Sequence, residues 1–222
     1  MHDRALLEQV TEWSISAACA QAAEWRGAAP GLPQLCMSVD LPVQRLTREL
    51  ADKVLGHLRK CKLPHGWLEL DVGEHLLIGN SDAAPVLAQL KAAGVRLAVD
   101  DFGSASASLA TLRELALDVL KIDSAFVREL DTETGVDMAA AIIHLGRALG
   151  MRVLAKGVER DGQLTILNSL GCDQYQGDLF SPAAVLAAVL ALLQAQYTDS
   201  ITSQAQKTPA KQANPKTRGP RR

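Results

Sequence analysis

Apolar residues follow two rhythms along this chain. Short unbroken apolar runs alternate with stretches in which apolar residues recur at helical spacing. The first rhythm predicts strands over 35–41, 67–72, 118–123, 152–158 and 172–180, and another that runs from Val95 into Asp100-Asp101-Phe102-Gly103. The second predicts helices over 5–25, 43–60, 85–93, 106–116, 136–149, 161–170 and 182–196. In the 43–60 segment Leu46, Leu50, Val54 and Leu58 share one face, with charged residues opposite. Glycines at 94, 150 and 171 follow helix ends, and Asp161 reads as a helix cap. Gly27–Pro33 reads as loop and Pro64-His65-Gly66 as a turn. Strand then helix, six times over, predicts an α/β fold with a parallel sheet and helices outside it.

Polar residues collect at the strand ends: Asp40, Asp71, Asp100 with Asp101, Lys121 with Asp123, Lys156 with Glu159, and Gln176. A doubly wound sheet gathers its polar groups at one switch point. Contributions from every strand point to a (β/α) barrel, whose rim is built from all strand ends. The run from Val95 reads as a strand buried on both faces. Adjacent carboxylates at its end repel each other, so a semi-buried site calls for a cation between them. The alternative is a solvated strand end that caps the next helix. Asp123 is expected to serve the fold by capping. His57, His65, His75 and His144 share no spacing and receive no role.

The chain has 222 residues, enough for one domain with a substantial core. A formal net charge of −2 gives no overall pull toward nucleic acid. Cys19, Cys36, Cys61 and Cys172 are far apart and read as free thiols of a reducing compartment. No signal pattern opens the chain, and Ala183–Leu193 is too short to span a bilayer, so a cytoplasmic location is expected. The domain is expected over 1–196. Residues 197–222, with Lys207, Lys211, Lys216, Arg218, Arg221 and Arg222, read as a disordered, solubilising basic tail. The sharper alternative for it is an arm for acidic partners or nucleic acid.

Four segments carry a resemblance. Val99-Asp100-Asp101-Phe102-Gly103, Leu120–Phe126, Ala155-Lys156-Gly157-Val158-Glu159 and Gly171–Gly177 resemble, in order and spacing, the motifs of EAL domains. These are bacterial phosphodiesterases that linearise cyclic di-GMP. The resemblance implies a modified, TIM-like (β/α)8 barrel with a site for two Mg²⁺ or Mn²⁺ ions. It implies metal ligation by Asp40, Asp71, Asp100 and Asp101, and water orientation by Lys121. Glu159 matches a late site glutamate, while Asp101, Gln176 and Glu74 match nucleotide-binding positions. Hard divalent ions take oxygen ligands, so carboxylates must converge from several strands for this chemistry.

Departures from the family pattern shape the functional expectation. The name-giving Glu-Ala-Leu strand is absent, and six strands are counted where the barrel has eight, so an incomplete barrel with open edges is expected. Asp71 stands where the family has glutamate and Asp40 where it has asparagine. The loop Ser104–Ser108 lacks the usual glycine and aromatic. Lys156 replaces a glutamate. Unit charges at ~4 Å interact by about 4 kcal/mol at an effective dielectric near 20, so this change reverses a term of that order. Lys156 is expected either to pair with Asp101 or Glu159 and replace a metal's charge, or to swing out to solvent. The resulting expectation is a degenerate EAL-type domain in cyclic di-GMP signalling: a non-hydrolysing nucleotide receptor or a module for a protein partner or homodimer. The alternative is a metal-dependent phosphodiesterase yielding the linear dinucleotide pGpG. A third option is the remnant of a longer sensor protein.

Overall fold

A computed structural model describes residues 4–28, 35–78, 83–103, 108–185 and 188–195. The basic tail and residues 104–107 of the loop after the paired aspartates lie outside them, as does most of the 27–33 loop. Six strands pair in sequence order, every pair parallel: β1 Met37–Asp40, β2 Leu68–Gly73, β3 Arg96–Phe102, β4 Val119–Ile122, β5 Arg152–Lys156 and β6 Gln174–Gln176. They form a curled half-barrel, an incomplete TIM-like fold. Parallel neighbours require crossovers, which are supplied here by helices. These are α2 Arg48–Cys61, α3 Ala83–Ala92, α4 Leu109–Glu114, α5 Ser124–Arg128, α6 Glu133–Ala148 and α7 Asp161–Leu170, with α1 Arg4–Ala28 leading in.

The core lies between sheet and helices. Leu70, Val72, Leu97, Val99, Leu120, Ile122, Val153 and Ala155 are fully buried there, together with Val86, Leu87 and Leu90 of α3 and Ile143 of α6. Helix α1 packs its Thr11, Ile15, Cys19, Ala22 and Trp25 face toward β1 and α2. Among the described residues no helix is long and apolar enough to cross a membrane.

Several element boundaries differ from expectation, for local reasons. Helix α2 starts at Arg48 instead of Val43, because the Thr47 hydroxyl accepts the Leu50 amide at 3.2 Å and caps the helix there. Val43 and Leu46 are still buried, but from the preceding loop. Asp161 is the first helical residue of α7 and not its cap. The Gln163 side chain does the capping, accepting the Glu159 and Arg160 amides at 2.9 and 3.0 Å. Strand β5 stops at Lys156 because Gly157 turns to φ +73°. Helix α4 spans only Leu109–Glu114, behind a Ser108 cap, and α6 begins at Glu133 behind Thr132. Helix α5 is little more than one turn long, too short to show a helical period in the sequence. Asp123 caps it, taking the Ala125 amide at 2.6 Å.

The chain divides after Ala184. The described part of the second unit is a helix over 188–195, and its first hydrogen bonds fall on the Val185 carbonyl, so it does not begin at Pro182.

The four cysteines are free. Burial pushes the Cys19 and Cys36 thiols up to about 11, with the nearby Glu69 carboxylate adding to it at Cys36. The thiolate is the reactive form, and at pH 8 it makes up only about a thousandth of such a thiol. Both are expected to label with an aromatic disulfide at least tenfold more slowly in the folded protein than in urea, as residue-resolved mass spectrometry would show. A second expectation concerns the turn after β3. Gly103 sits at φ +99°, and a Cβ there would lie 2.8 Å from the Phe126 ring. Gly103→Ala is therefore expected to cost about 1–3 kcal/mol, read as a lower urea midpoint. An unshifted midpoint would refute the strain assigned to that turn.

Candidate functional site

Side chains two apart on a strand share a face, and partners across a parallel ladder point the same way. The registers Ser38↔Glu69↔Arg96 and Asp40↔Asp71↔Ala98 therefore put Ser38, Asp40, Glu69, Asp71, Arg96 and Asp100 on one face of the sheet. Ala98↔Val119 and Lys121↔Leu154 carry that face on to Lys121 and Lys156, and Lys156↔Gln176 takes it to the last strand. The alternate positions are the apolar residues of the core. The inner face of the half-barrel thus carries the charged strand residues, among the apolar Ala98, Val119 and Leu154, while the outer face is apolar.

Two layers follow. The deeper layer centres on Lys121, which is 3% exposed. Its Nζ donates to Asp71 Oδ2 at 2.5 Å and to Ser38 Oγ at 2.8 Å, and lies 3.3 Å from Glu69 Oε1. Glu69 in turn pairs with Arg96 at 3.0 Å. A buried ammonium is tolerated because each of its protons finds an oxygen. Nothing in the local sequence marks Ser38, Glu69 and Arg96 as site residues. The two-residue pleat, counted back from Asp40, Asp71 and Asp100, is the signal that finds them.

The upper layer is the rim. Carboxylate oxygens of Asp40, Asp71 and Asp100 lie within 4.8 Å of one another. Partial burial raises the Asp40 pKa, and the neighbouring Asp71 and Asp100 carboxylates raise it further. Lys156 does not swing to solvent. Its Nζ lies 2.8 and 2.9 Å from the two oxygens of Asp100 and 2.9 Å from Asp101 Oδ1. Burial works against the Lys156 charge, but hydrogen bonds to Asp100 and Asp101 outweigh it and raise its pKa.

One irregularity makes this contact. In an unbroken strand Asp101 would point opposite to Asp100. Instead the β3–β4 register shifts between Val99 and Phe102, and Asp101 takes φ +50°. A bulge of this kind re-aims a side chain, and here it brings both carboxylates to the rim. An aspartate in the left-handed region costs of order 1–3 kcal/mol, and such strain gathers at functional sites. The next residue is tied down: the Gly103 amide donates to Glu74 Oε2 at 3.1 Å, and Glu74 is buried at the end of β2.

The remaining sequence-predicted residues sit apart from this cluster. Gln176 is exposed on the edge strand beside Lys156. Glu159 is exposed just before α7, its amide on Gln163, and Lys156 pairs with the aspartates instead. A hard divalent cation fits the donors of the rim. Two oxygens on opposite sides of such an ion, at bonds of about 2.1–2.4 Å, stand about 4–5 Å apart, which matches the spread of the three aspartates. Asp71 Oδ1 keeps a lone pair beyond its bond from Ser38.

The pattern that defines EAL domains matches residues 1–183. The cyclic di-GMP phosphodiesterase NbdA of Pseudomonas aeruginosa is 35% identical over 198 residues, covering 88% of this chain and 25% of that protein. The chain spans about a quarter of the length of the first curated relatives it matches. Among solved structures, the EAL domain of Mycobacterium smegmatis DcpA is 30% identical, covers 84% of each chain and superposes with a TM-score of 0.78. The PaMucR phosphodiesterase in complex with c-di-GMP is 33% identical over 79% of this chain and 71% of its own, with a TM-score of 0.71. With a match across most of its length and a fold that superposes on a solved EAL domain, the chain belongs to the EAL domain family.

Proposed function

We propose that this domain binds cyclic di-GMP in bacterial signalling without hydrolysing it. The observation that carries the reading is the Lys156 ammonium seated on Asp100 and Asp101. Phosphodiester hydrolysis requires strong charge neutralisation at the phosphoryl oxygens and an activated water. Here the paired carboxylates are already occupied by a protein cation. Family membership supports the ligand: one structural neighbour is a complex with c-di-GMP. In this reading residues 1–196 are the binding domain and 197–222 a solubilising tail. Lys156 faces a phosphate of the nucleotide, while Asp101 and Gln176 reach its polar edges. Glu74 acts through the Gly103 amide, holding the Asp101 turn in place.

Asp40, Asp71 and Asp100 are the residues that would hold Mg²⁺ or Mn²⁺, which would supply positive charge toward a bound phosphate. That convergence also favours a second reading, a metal-dependent phosphodiesterase that yields pGpG, with Lys121 orienting the water and Glu159 as the late catalytic glutamate. A module for a protein partner or a second copy is the reading left if nucleotide does not bind. The exposed Leu6, Val10 and Trp13 on one face of α1 support it.

Titration calorimetry of the full chain with cyclic di-GMP, with and without Mn²⁺, separates these readings when the mixture is chromatographed for pGpG. Heat of binding without product is the expected result. Product that needs Mn²⁺ and disappears in Asp100→Ala would overturn it in favour of the enzyme. No binding by a well-folded sample would leave the protein-partner role. Lys156→Ala removes a charge-assisted contact and leaves two carboxylates facing the phosphate, so about a tenfold weaker Kd is expected. An unchanged Kd would remove Lys156 from the nucleotide site.

A further inference from the structure

The rim carries four carboxylates, those of Asp40, Asp71, Asp100 and Asp101, against the two ammonium groups of Lys121 and Lys156. The deeper Glu69–Arg96 pair cancels itself. Glu74 is committed to the Gly103 amide, and its oxygens are not among those that converge. Four negative charges against two positive leave two uncompensated, the charge of a single divalent cation.

The two lysines also decide where that charge lies. Lys121 approaches Asp71 from below and Lys156 spans Asp100 and Asp101, while Asp40 on the edge strand has no ammonium within ion-pair distance among the described residues. The uncompensated charge therefore falls where Asp40, Asp71 and Asp100 converge, with oxygens from three adjacent strands within 4.8 Å.

The first cation asks of Asp100 only one oxygen, beside those of Asp40 and Asp71, whereas a second would have to lie between the oxygens of Asp100 and Asp101. Two-metal sites place their ions about 3.5–4 Å apart, bridged by a shared carboxylate. Lys156 Nζ already lies 2.8–2.9 Å from those oxygens. An ion bonded to them at about 2.1 Å would have to share this space with the ammonium, against like-charge repulsion. We propose that the site takes one divalent cation, held by Asp40, Asp71 and Asp100, and that Lys156 permanently fills the place of a second. The inference rests on the rim being the functional site, as proposed above, but not on its nucleotide. Lys156 is then a built-in counter-ion: it keeps the strained Asp100-Asp101 turn assembled whether or not a metal is bound.

The test uses the full chain, stripped with chelator and titrated with Mn²⁺ alone, followed by calorimetry and electron paramagnetic resonance. One Mn²⁺ per chain with an uncoupled spectrum is expected, weakened at least tenfold by Asp71→Asn. Lys156→Glu is expected to take two Mn²⁺ per chain and to show the spin-coupled signal of a close pair. Lys156→Gln, which keeps the side chain's length, should take the second ion more weakly and serves if the glutamate variant fails a thermal-melt check. Two Mn²⁺ in the unaltered protein would overturn the proposal. So would no bound Mn²⁺, an unaffected Asp71→Asn, or a single ion in folded Lys156 variants. Cyclic di-GMP binding is measured in the same samples. Its absence with one Mn²⁺ per chain overturns the receptor reading and leaves the cation assignment standing, while two Mn²⁺ with nucleotide bound does the reverse.

Discussion

The pleat of a parallel sheet is the constraint on which this domain is built. Each strand offers its side chains alternately to two environments, and the in-line registers extend that choice across all six strands. One environment is a packed layer of helices, and it takes Val72, Leu97, Leu120 and Val153. The other is the hollow of a half-barrel, and it takes every charged strand residue discussed above. Side chains that would repel water and side chains that would bind ions are thus separated by the thickness of one backbone layer. The charged set needs no loop to assemble it.

Charges gathered this closely must be balanced. The deeper layer does it with buried ion pairs, Lys121 to Asp71 and Glu69 to Arg96, where each partner's removal would strand a charge in a dry interior. The rim does it incompletely. Partial burial and then the neighbouring carboxylates raise the Asp40 pKa, and the excess negative charge makes the three-aspartate corner receptive to a cation. The protein thus carries part of its own counter-charge as Lys156. This bears on activity, since a fixed ammonium can attract a phosphate but has no coordination site at which to bind and polarise a water.

Strain is concentrated at the same place. The bulge at Asp101, the left-handed Gly103 and the buried Glu74 that grips its amide form one short unit at the carboxyl end of β3. Its cost is offset by the salt bridges from Lys156, so the ion pair and the irregular backbone support each other.

Much of this was legible in the sequence. The alternation of apolar runs with helical stripes specified the strand and helix order and hence parallel pairing, because period and length are local properties. The residue types at the strand ends identified the carboxylates, and Coulomb repulsion between Asp100 and Asp101 made a cation between them one of two readings, beside a solvated strand end. What the sequence left open was which cation that would be. Lys156 lies 55 residues beyond Asp101, and only the register of β3, β4 and β5 brings them together. The bulge that turns Asp101 toward it is equally invisible, because Val-Asp-Asp-Phe reads as regular strand. Ser38, Glu69 and Arg96 joined the site only once the ladders fixed which face they occupy. Short-range spacing determines what each segment becomes; the meeting of charges from different segments depends on sheet register and backbone strain, and those exist only in the folded chain.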